Sequence, residues 1–451
     1  MQKLGIYWFD QDFRIDDNLG LTIAAKQVDQ LLCIAFANSK SRNPHHPIPI
    51  DMAANRLDFL TQSLANLDQN LKGFGQYLLI SKEPPQAKLA ALIKRHGITH
   101  LYLSDDGNFT RKPILESLQT KFPLLVIKQV GDNRLFSEDS LPFPISELPS
   151  TFSKFRRKVE KITTQPLTTT TDRLPPPVIS SEAEANEFSD KRAVHQGEFC
   201  GGETEGRKHL KRYFQGDYAS SYKLTRNSLD GFYNSTKFSP WLTNGCLSVR
   251  QVVAQLHQYE AHVVSNDSTY WIFFELLWRE YFQWYAKCHR EKLFLFSGIK
   301  GFKPATSFYP ERFQKWCHGN TPYPIVNACI KQLNVTGYMS NRGRQLVASC
   351  LVNELALDWR YGAAYMEQRL IDYDMASNWG NWQYLAGVGA DPRGLRHFDL
   401  DKQTQRYDPN HQFIKHWQGI PNQQHLDSID AADWPISQSQ FMQVSQSYEP
   451  E

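Results

Sequence analysis

The chain has 451 residues, 41% of them hydrophobic and 13% aromatic, with a formal net charge of +3. That length and apolar content exclude a disordered polymer and leave room for two or three packed layers or domains. The small net charge excludes a nucleic-acid argument from bulk charge, so any such partner must be read from local basic patches.

The first 130 residues alternate two kinds of pattern. LGIYWF (4–9), LLCIAFA (31–37), YLLI (77–80), THLYLS (99–104) and LLVIKQV (124–130) read as short buried strands. Residues 51–72 and 85–96 carry apolar residues at helical spacing. The alternation predicts an α/β N-terminal domain, 1–130, with a parallel sheet covered by helices. The turn after the first strand, Asp10-Gln11-Asp12-Phe13-Arg14, has no G-x-G-x-x-G, so the sheet is Rossmann-like in outline only.

Residues 131–205 are rich in proline and threonine and read as a long connector across the surface, interrupted by a short basic helix, FSKFRRKVEK. From 206 to 425 the pattern is all-helical, and 426–451 is a polar tail, with the chain loosely held after Trp417. No run of 18 apolar residues occurs, and the N-terminus lacks a charged-then-apolar signal, so a soluble cytoplasmic protein with no membrane partner is expected. The seven scattered cysteines contain no C-x-x-C, which disfavours a metal site and suits buried thiols in a reducing compartment.

Four stretches of the helical part carry chemistry. In LIDYDMASNWGNWQYLAGVG (370–389), Asp374, Asn378 and Trp382 are spaced i, i+4, i+8, so a helix through them shows one polar-to-aromatic stripe. Asp372 stands just before it, where a carboxylate favours a helix start. Gly380 costs about 1 kcal/mol inside a helix, an expense matched when something bulky approaches closely. YWIFFELLWREYFQWY (270–285) is apolar nearly all round and reads as a buried helix. It nevertheless holds Glu275, Trp278 and Arg279 on one face, with Arg279 placed to pair the glutamate. In TGYMSNRGRQLVASCLVNELALDWR (336–360), Asn341, Arg344 and Gln345 share a face, and Trp359 follows. YKLTRN (222–227) precedes STKFSPWLTNGCLS (235–248), where the hydroxyls of Ser235, Thr236 and Ser239 can cradle phosphates at a helix start or simply cap it.

Taken in order, YKLTRN, STKFSPWLTNGCLS, ELLWREYF, TGYMSNRGRQ, DWR and LIDYDMASNWGNWQYLAG closely resemble the photolyase/cryptochrome family, from residue 4 to about 418. GGE (201–203), SNRGRQ (340–345) and KQTQRYDPNHQFIKHW (402–417) resemble its DASH branch. The resemblance implies a helical domain holding FAD folded into a U. Tyr222, Ser235, Thr236 and Ser239 would lie at the pyrophosphate, with Arg344 paired to Asp372 beside the flavin. Arg279 and Asp374 would complete the cofactor contacts, and Asn378 would accept a hydrogen bond from the protonated N5 of reduced flavin.

The implied activity is light-driven splitting of cyclobutane pyrimidine dimers. Glu275 and Asn341 would contact the dimer and Trp278 would stack on it. Gln345 and Tyr384 replace a methionine and a tryptophan of ordinary dimer photolyases, which implies repair mainly in single-stranded or looped DNA. DNA contacts would come from Arg226, Arg342, Arg393 and Arg396, together with the basic helix through Lys154, Arg156, Arg157 and Lys158. Trp382 and Trp359 match the inner and middle members of an electron-transfer chain. Thr306 stands at the outer position, with Tyr309 and Trp316 as replacements. The resemblance also implies an antenna pigment, 5,10-methenyltetrahydrofolate, with Asp106 and Asn108 as its polar contacts, and a monomer. The alternative activity is a blue-light photoreceptor that signals with weak or no repair.

Overall fold

The structure is a computed structural model. It describes residues 2–427 apart from 38–39, 42–45, 49, 106–108, 132, 170, 180–197, 392–393 and 395. The strands are β1 (Leu4–Phe9), β2 (Gln30–Phe36), β3 (Lys40–Ser41), β4 (Ile50–Asp51), β5 (Leu78–Ser81), β6 (His100–Ser104) and β7 (Val126–Val130). Five of them form one parallel sheet in the order β5-β2-β1-β6-β7, while β3 and β4 make a small antiparallel pair. β1 is buried on both faces because its neighbours cover it twice. Ile6 and Trp8 enter a small core, and Tyr7 and Phe9 enter a large core that continues into the helical half. Helices α1 (Leu19–Gln27), α2 (Ala54–Lys72), α3 (Pro85–His96) and α4 (Lys112–Lys121) supply the crossovers.

The turn after β1 docks the sheet onto the helices. Asp12 is buried and accepts from the Tyr7 hydroxyl (2.7 Å) and the Asp10 amide (2.8 Å). Arg14 donates to the carbonyls of Asp17 and Gly245, and the Phe13 amide to Asn244. Gly245 has φ +66°, and a Cβ there would stand 1.9 Å from the Gln11 carbonyl oxygen, so only glycine lets the two chains approach. Asp17 forms a fully buried ion pair with Arg250 at 3.0 Å.

The connector carries α5 (Phe152–Val159) as expected, yet it is not confined to the surface. Leu135, Phe136, Phe152, Phe155 and Val159 are buried, which obliges the backbone beside them to find partners inside. Glu280, itself buried, provides them: its carboxylate accepts from the amides of Leu135 (2.9 Å) and Phe136 (3.3 Å) and from Trp284 Nε1 (2.9 Å).

The helical half runs α6 (Glu203–Gln215), α7 (Tyr218–Thr225), α8 (Ser239–Thr243), α9 (Val249–His262), α10 (Asp267–His289), α11 (Pro310–Cys317), α12 (Pro324–Thr336), α13 (Asn341–Ser349), α14 (Trp359–Arg369), α15 (Met375–Leu385), α16 (Leu400–Tyr407) and α17 (Gln412–His416). The start of the expected loose tail is anchored. Asn327 Nδ2 donates to the Ile420 carbonyl, the Asn422 amide to Thr321, and Arg312 pairs with Asp427, while 428–451 lie outside the described residues. Among the described residues no helix is long and apolar enough to cross a membrane.

Candidate active site

Helices α10, α13 and α15, closed by α7, α8 and the end of α14, surround a cavity of about 660 Å³. The expected cofactor residues all line it: Tyr222, Ser235, Thr236, Ser239, Arg279, Arg344, Asp372, Asp374 and Asn378. So do the expected substrate residues Glu275, Trp278, Asn341, Gln345 and Tyr384, and the cations Arg226, Arg342 and Arg396. Residues scattered over more than 170 positions therefore converge on one space. Arg393, Asp106 and Asn108 lie outside the described residues.

At the buried end, Asp372 organises the wall. It accepts from Arg344 Nη2 through both oxygens (2.9 and 2.7 Å) and from Ser239 Oγ (2.6 Å). Against the cost of burial, the Asp372 carboxylate holds the Arg344 guanidinium above its ordinary value. Asp372 does not begin a helix, as its position had implied. Asp374 is the N-cap of α15, accepting from the Ser377 amide at 2.7 Å, while Gln283 Nε2 donates to its other oxygen at 2.8 Å. One turn into α15, Asn378 Nδ2 donates to the Ala363 carbonyl at 3.0 Å. An amide anchored by its NH2 presents its oxygen, so the cavity meets an acceptor at this position. Burial pushes the Tyr222 phenol up, so it stays a hydroxyl.

Gly380 behaves as its helical position predicts: a Cβ there would stand 2.4 Å from Phe282 Cδ1 on α10. The glycine is what lets α15 lie against α10.

Glu275 corrects the sequence reading twice. Its side chain is about 30% exposed rather than buried, and its partner is Arg226, not Arg279. Spacing along α10 puts Arg279 on the same face, but its guanidinium reaches into the protein to the Asn133 carbonyl (2.9 Å). Packing of α7 against α10 delivers Arg226 instead, and its Cζ also lies 4.7 Å from the Trp271 ring centroid. Trp278 stacks on Phe152 of the basic helix (3.8 Å, 13°) and meets Tyr384 edge-on at 5.8 Å. The Tyr384 hydroxyl is bonded by Arg396, which is itself paired with Asp391. The basic helix stands outside the cavity lining, with Lys154, Arg157 and Lys158 exposed.

Among the tryptophans, Trp382 lines the cavity, and Trp359 is fully buried outside it, donating to the Phe296 carbonyl at 3.0 Å. Of the two replacements for position 306, Trp316 reaches Trp382 with centroids 6.4 Å apart, whereas Tyr309 lies under Arg312 at 4.1 Å. Sequence reasoning missed several lining residues. Lys237 sits at φ +52° with Nζ 4.5 Å from the Tyr338 centroid, and Trp271, Phe282 and Phe398 add apolar wall. Lys237, Trp271 and Phe282 lie within the motifs already singled out, but nothing in their spacing distinguished them from core.

Comparisons with known proteins agree with this geometry. Two family models match, one described as "DNA photolyase" over residues 5–176 and one as "FAD binding domain of DNA photolyase" over 271–449. A cryptochrome DASH of Idiomarina loihiensis is 52% identical, with 96% of this chain and 97% of that protein aligned. Another from Vibrio parahaemolyticus is 51% identical, with coverage of 97% and 98%. A solved Synechocystis cryptochrome superposes with a TM-score of 0.84 over the whole of both chains at 33% identity. Identity at this level over nearly full length, joined to one cavity lined by the motif residues, means that the chain belongs to the photolyase/cryptochrome family, in its DASH branch, and carries that family's FAD-binding domain.

Proposed function

We propose that the protein is a blue-light-driven lyase that splits cyclobutane pyrimidine dimers, mainly in single-stranded or looped DNA, with FAD seated between α10, α13 and α15. The observation that carries this reading is one cavity with an amide acceptor, Asn378 Oδ1, facing it and Glu275, Asn341 and Trp278 along its wall.

The residues suit the cofactor. The Arg344–Asp372 pair and the Ser235 and Thr236 hydroxyls offer donors for a charged, oxygen-rich stretch. Phe282 and Trp382 offer apolar faces for rings, and the Asn378 oxygen suits an N–H donor. FAD held by these residues would supply the light-driven, redox-neutral electron-transfer chemistry that dimer splitting needs.

The chain's own residues position and polarise. As the carboxylate partner of Arg226, Glu275 can only accept, and the imide N–H of a pyrimidine is the matching donor. The Asn341 amide can donate to a pyrimidine carbonyl where negative charge develops. Gln345 and Tyr384, the latter held by Arg396, leave a more polar wall than two large apolar side chains would. Extruding a dimer from a duplex costs a few kcal/mol that a single strand does not ask for. A 5,10-methenyltetrahydrofolate antenna on the sheet domain belongs to the same proposal.

The test is illumination of reduced protein with a dimer-containing single-stranded oligonucleotide, following the return of thymine absorbance. Restoration that is lost in Glu275→Ala is expected; no restoration at any salt would reject the reading.

A further inference from the structure

Beyond the residues that would touch the lesion, the cavity mouth carries two clusters of rings and cations that repair of a dimer does not itself require. On one side the rings continue outward along α10. Phe274 lies 4.3 Å from Trp271 and 6.3 Å from Tyr270, and meets Phe152, the partner of Trp278, at 5.1 Å. Arg226 stands 4.7 Å over Trp271 and Arg156 stands 5.4 Å over Phe274. On the other side, Arg342 stands 4.7 Å over Tyr407 and 5.9 Å over Phe398, with Arg406 at 5.4 Å from the same tyrosine. Trp271, Phe274, Phe398, Arg226 and Arg342 all line the cavity, so both clusters are continuous with it.

We infer that these two rims are subsites for the unpaired nucleotides flanking the lesion, holding one base on the Trp271–Phe274 side and one on the Phe398–Tyr407 side. The inference rests on the proposed function and adds to it where strand preference comes from. Charge is not the main attraction on the first rim, because Arg226 is paired with Glu275, Arg156 with Glu160 (3.4 Å) and Lys223 with Asp267 (2.8 Å). What remains is flat surface: partly exposed aromatic rings with guanidinium groups over them, on both of which a nucleobase stacks without regard to sequence. The bases beside a lesion in a single strand are free to use that surface. In a duplex they are already paired and stacked, so the rims add nothing and the cost of flipping stands unopposed.

The test is dark binding, by fluorescence anisotropy, of the flavin-loaded protein to short single strands with one central thymine dimer. One series carries ordinary bases on both sides; the other carries abasic residues there, keeping every phosphate. Base-flanked strands should bind roughly tenfold more tightly per rim, and Trp271→Ala should erase the difference on one side and Tyr407→Ala on the other. Equal affinity of the unmodified protein for both series would overturn the inference without any variant. If the damaged strand is still preferred over undamaged strand in that case, only the rims fall. If no preference for damage exists at all, the reading of the cavity falls with them.

Discussion

Replacing Gly380 by alanine asks whether the packing that opens the cavity is as tight as it looks. On propensity alone the change favours α15 by about 1 kcal/mol. Against that, the new methyl carbon would stand 2.4 Å from Phe282 Cδ1 and 2.7 Å from Cε1, where carbon–carbon contacts rest near ~3.5–4.0 Å. On its packed sides the ring cannot retreat, and the side it turns to the cavity is the one the flavin would fill. Phe282 is 2% exposed and is hemmed by Trp278 (5.6 Å), Tyr281 (5.7 Å) and Tyr285 (6.1 Å). The two helices must therefore part by on the order of 1 Å, and overpacking of this kind costs about 1–3 kcal/mol. Because whole helices move, the upper part of that range applies, and the net effect is a loss of about 1–2 kcal/mol. The same displacement separates Glu275 and Trp278 on α10 from Asn378 on α15, so flavin affinity should fall with stability. Urea midpoints and equilibrium flavin titration of Gly380→Ala against the unmodified protein measure both. A variant with a higher midpoint and unchanged flavin affinity would refute the reasoning, since it would mean the glycine marks no close approach.

Asp372→Asn should also be damaging, because it leaves the half-buried Arg344 without its charge partner; losing a charged hydrogen-bonded pair of this kind costs about 1.5–3 kcal/mol, readable as lost flavin affinity. His209 donates from Nε2 to the Thr236 carbonyl at 2.8 Å, and burial, with Arg212 and Lys237 nearby, lowers its pKa. A depressed histidine means the unfolded chain takes up the proton first. The contribution is therefore complete above about 6.5 and is lost as pH falls through that value toward the folded one. Flavin retention should weaken over that window, and the trend should flatten in His209→Gln; an unchanged trend would show that another group is responsible. Trp316→Phe should slow light-driven reduction of oxidised flavin, measured by transient absorption, because Trp316 is a ring in contact with Trp382; an unchanged rate would mean that the hole leaves Trp382 by another route.

Much of this protein is legible without coordinates. The alternation of apolar runs specifies the parallel sheet because strands buried on both faces leave nearly continuous hydrophobic stretches. The glycine at 380 announces a close contact because its helical cost is local and needs an offset. The motif residues declare themselves as a set, since so many polar groups in apolar helices must face one another or a ligand. Partner choice is different. Glu275 lies one helical turn from Arg279 yet pairs with Arg226, forty-nine positions earlier, because the direction of a long side chain is settled by what packs beside the helix. The connector reads as surface from its prolines, but a single carboxylate at 280 draws two of its amides inside. Spacing along a chain reports which residues share a face. Only the packing of one helix on another decides which face meets which, and on that meeting the cavity, its ion pairs and its ringed mouth depend.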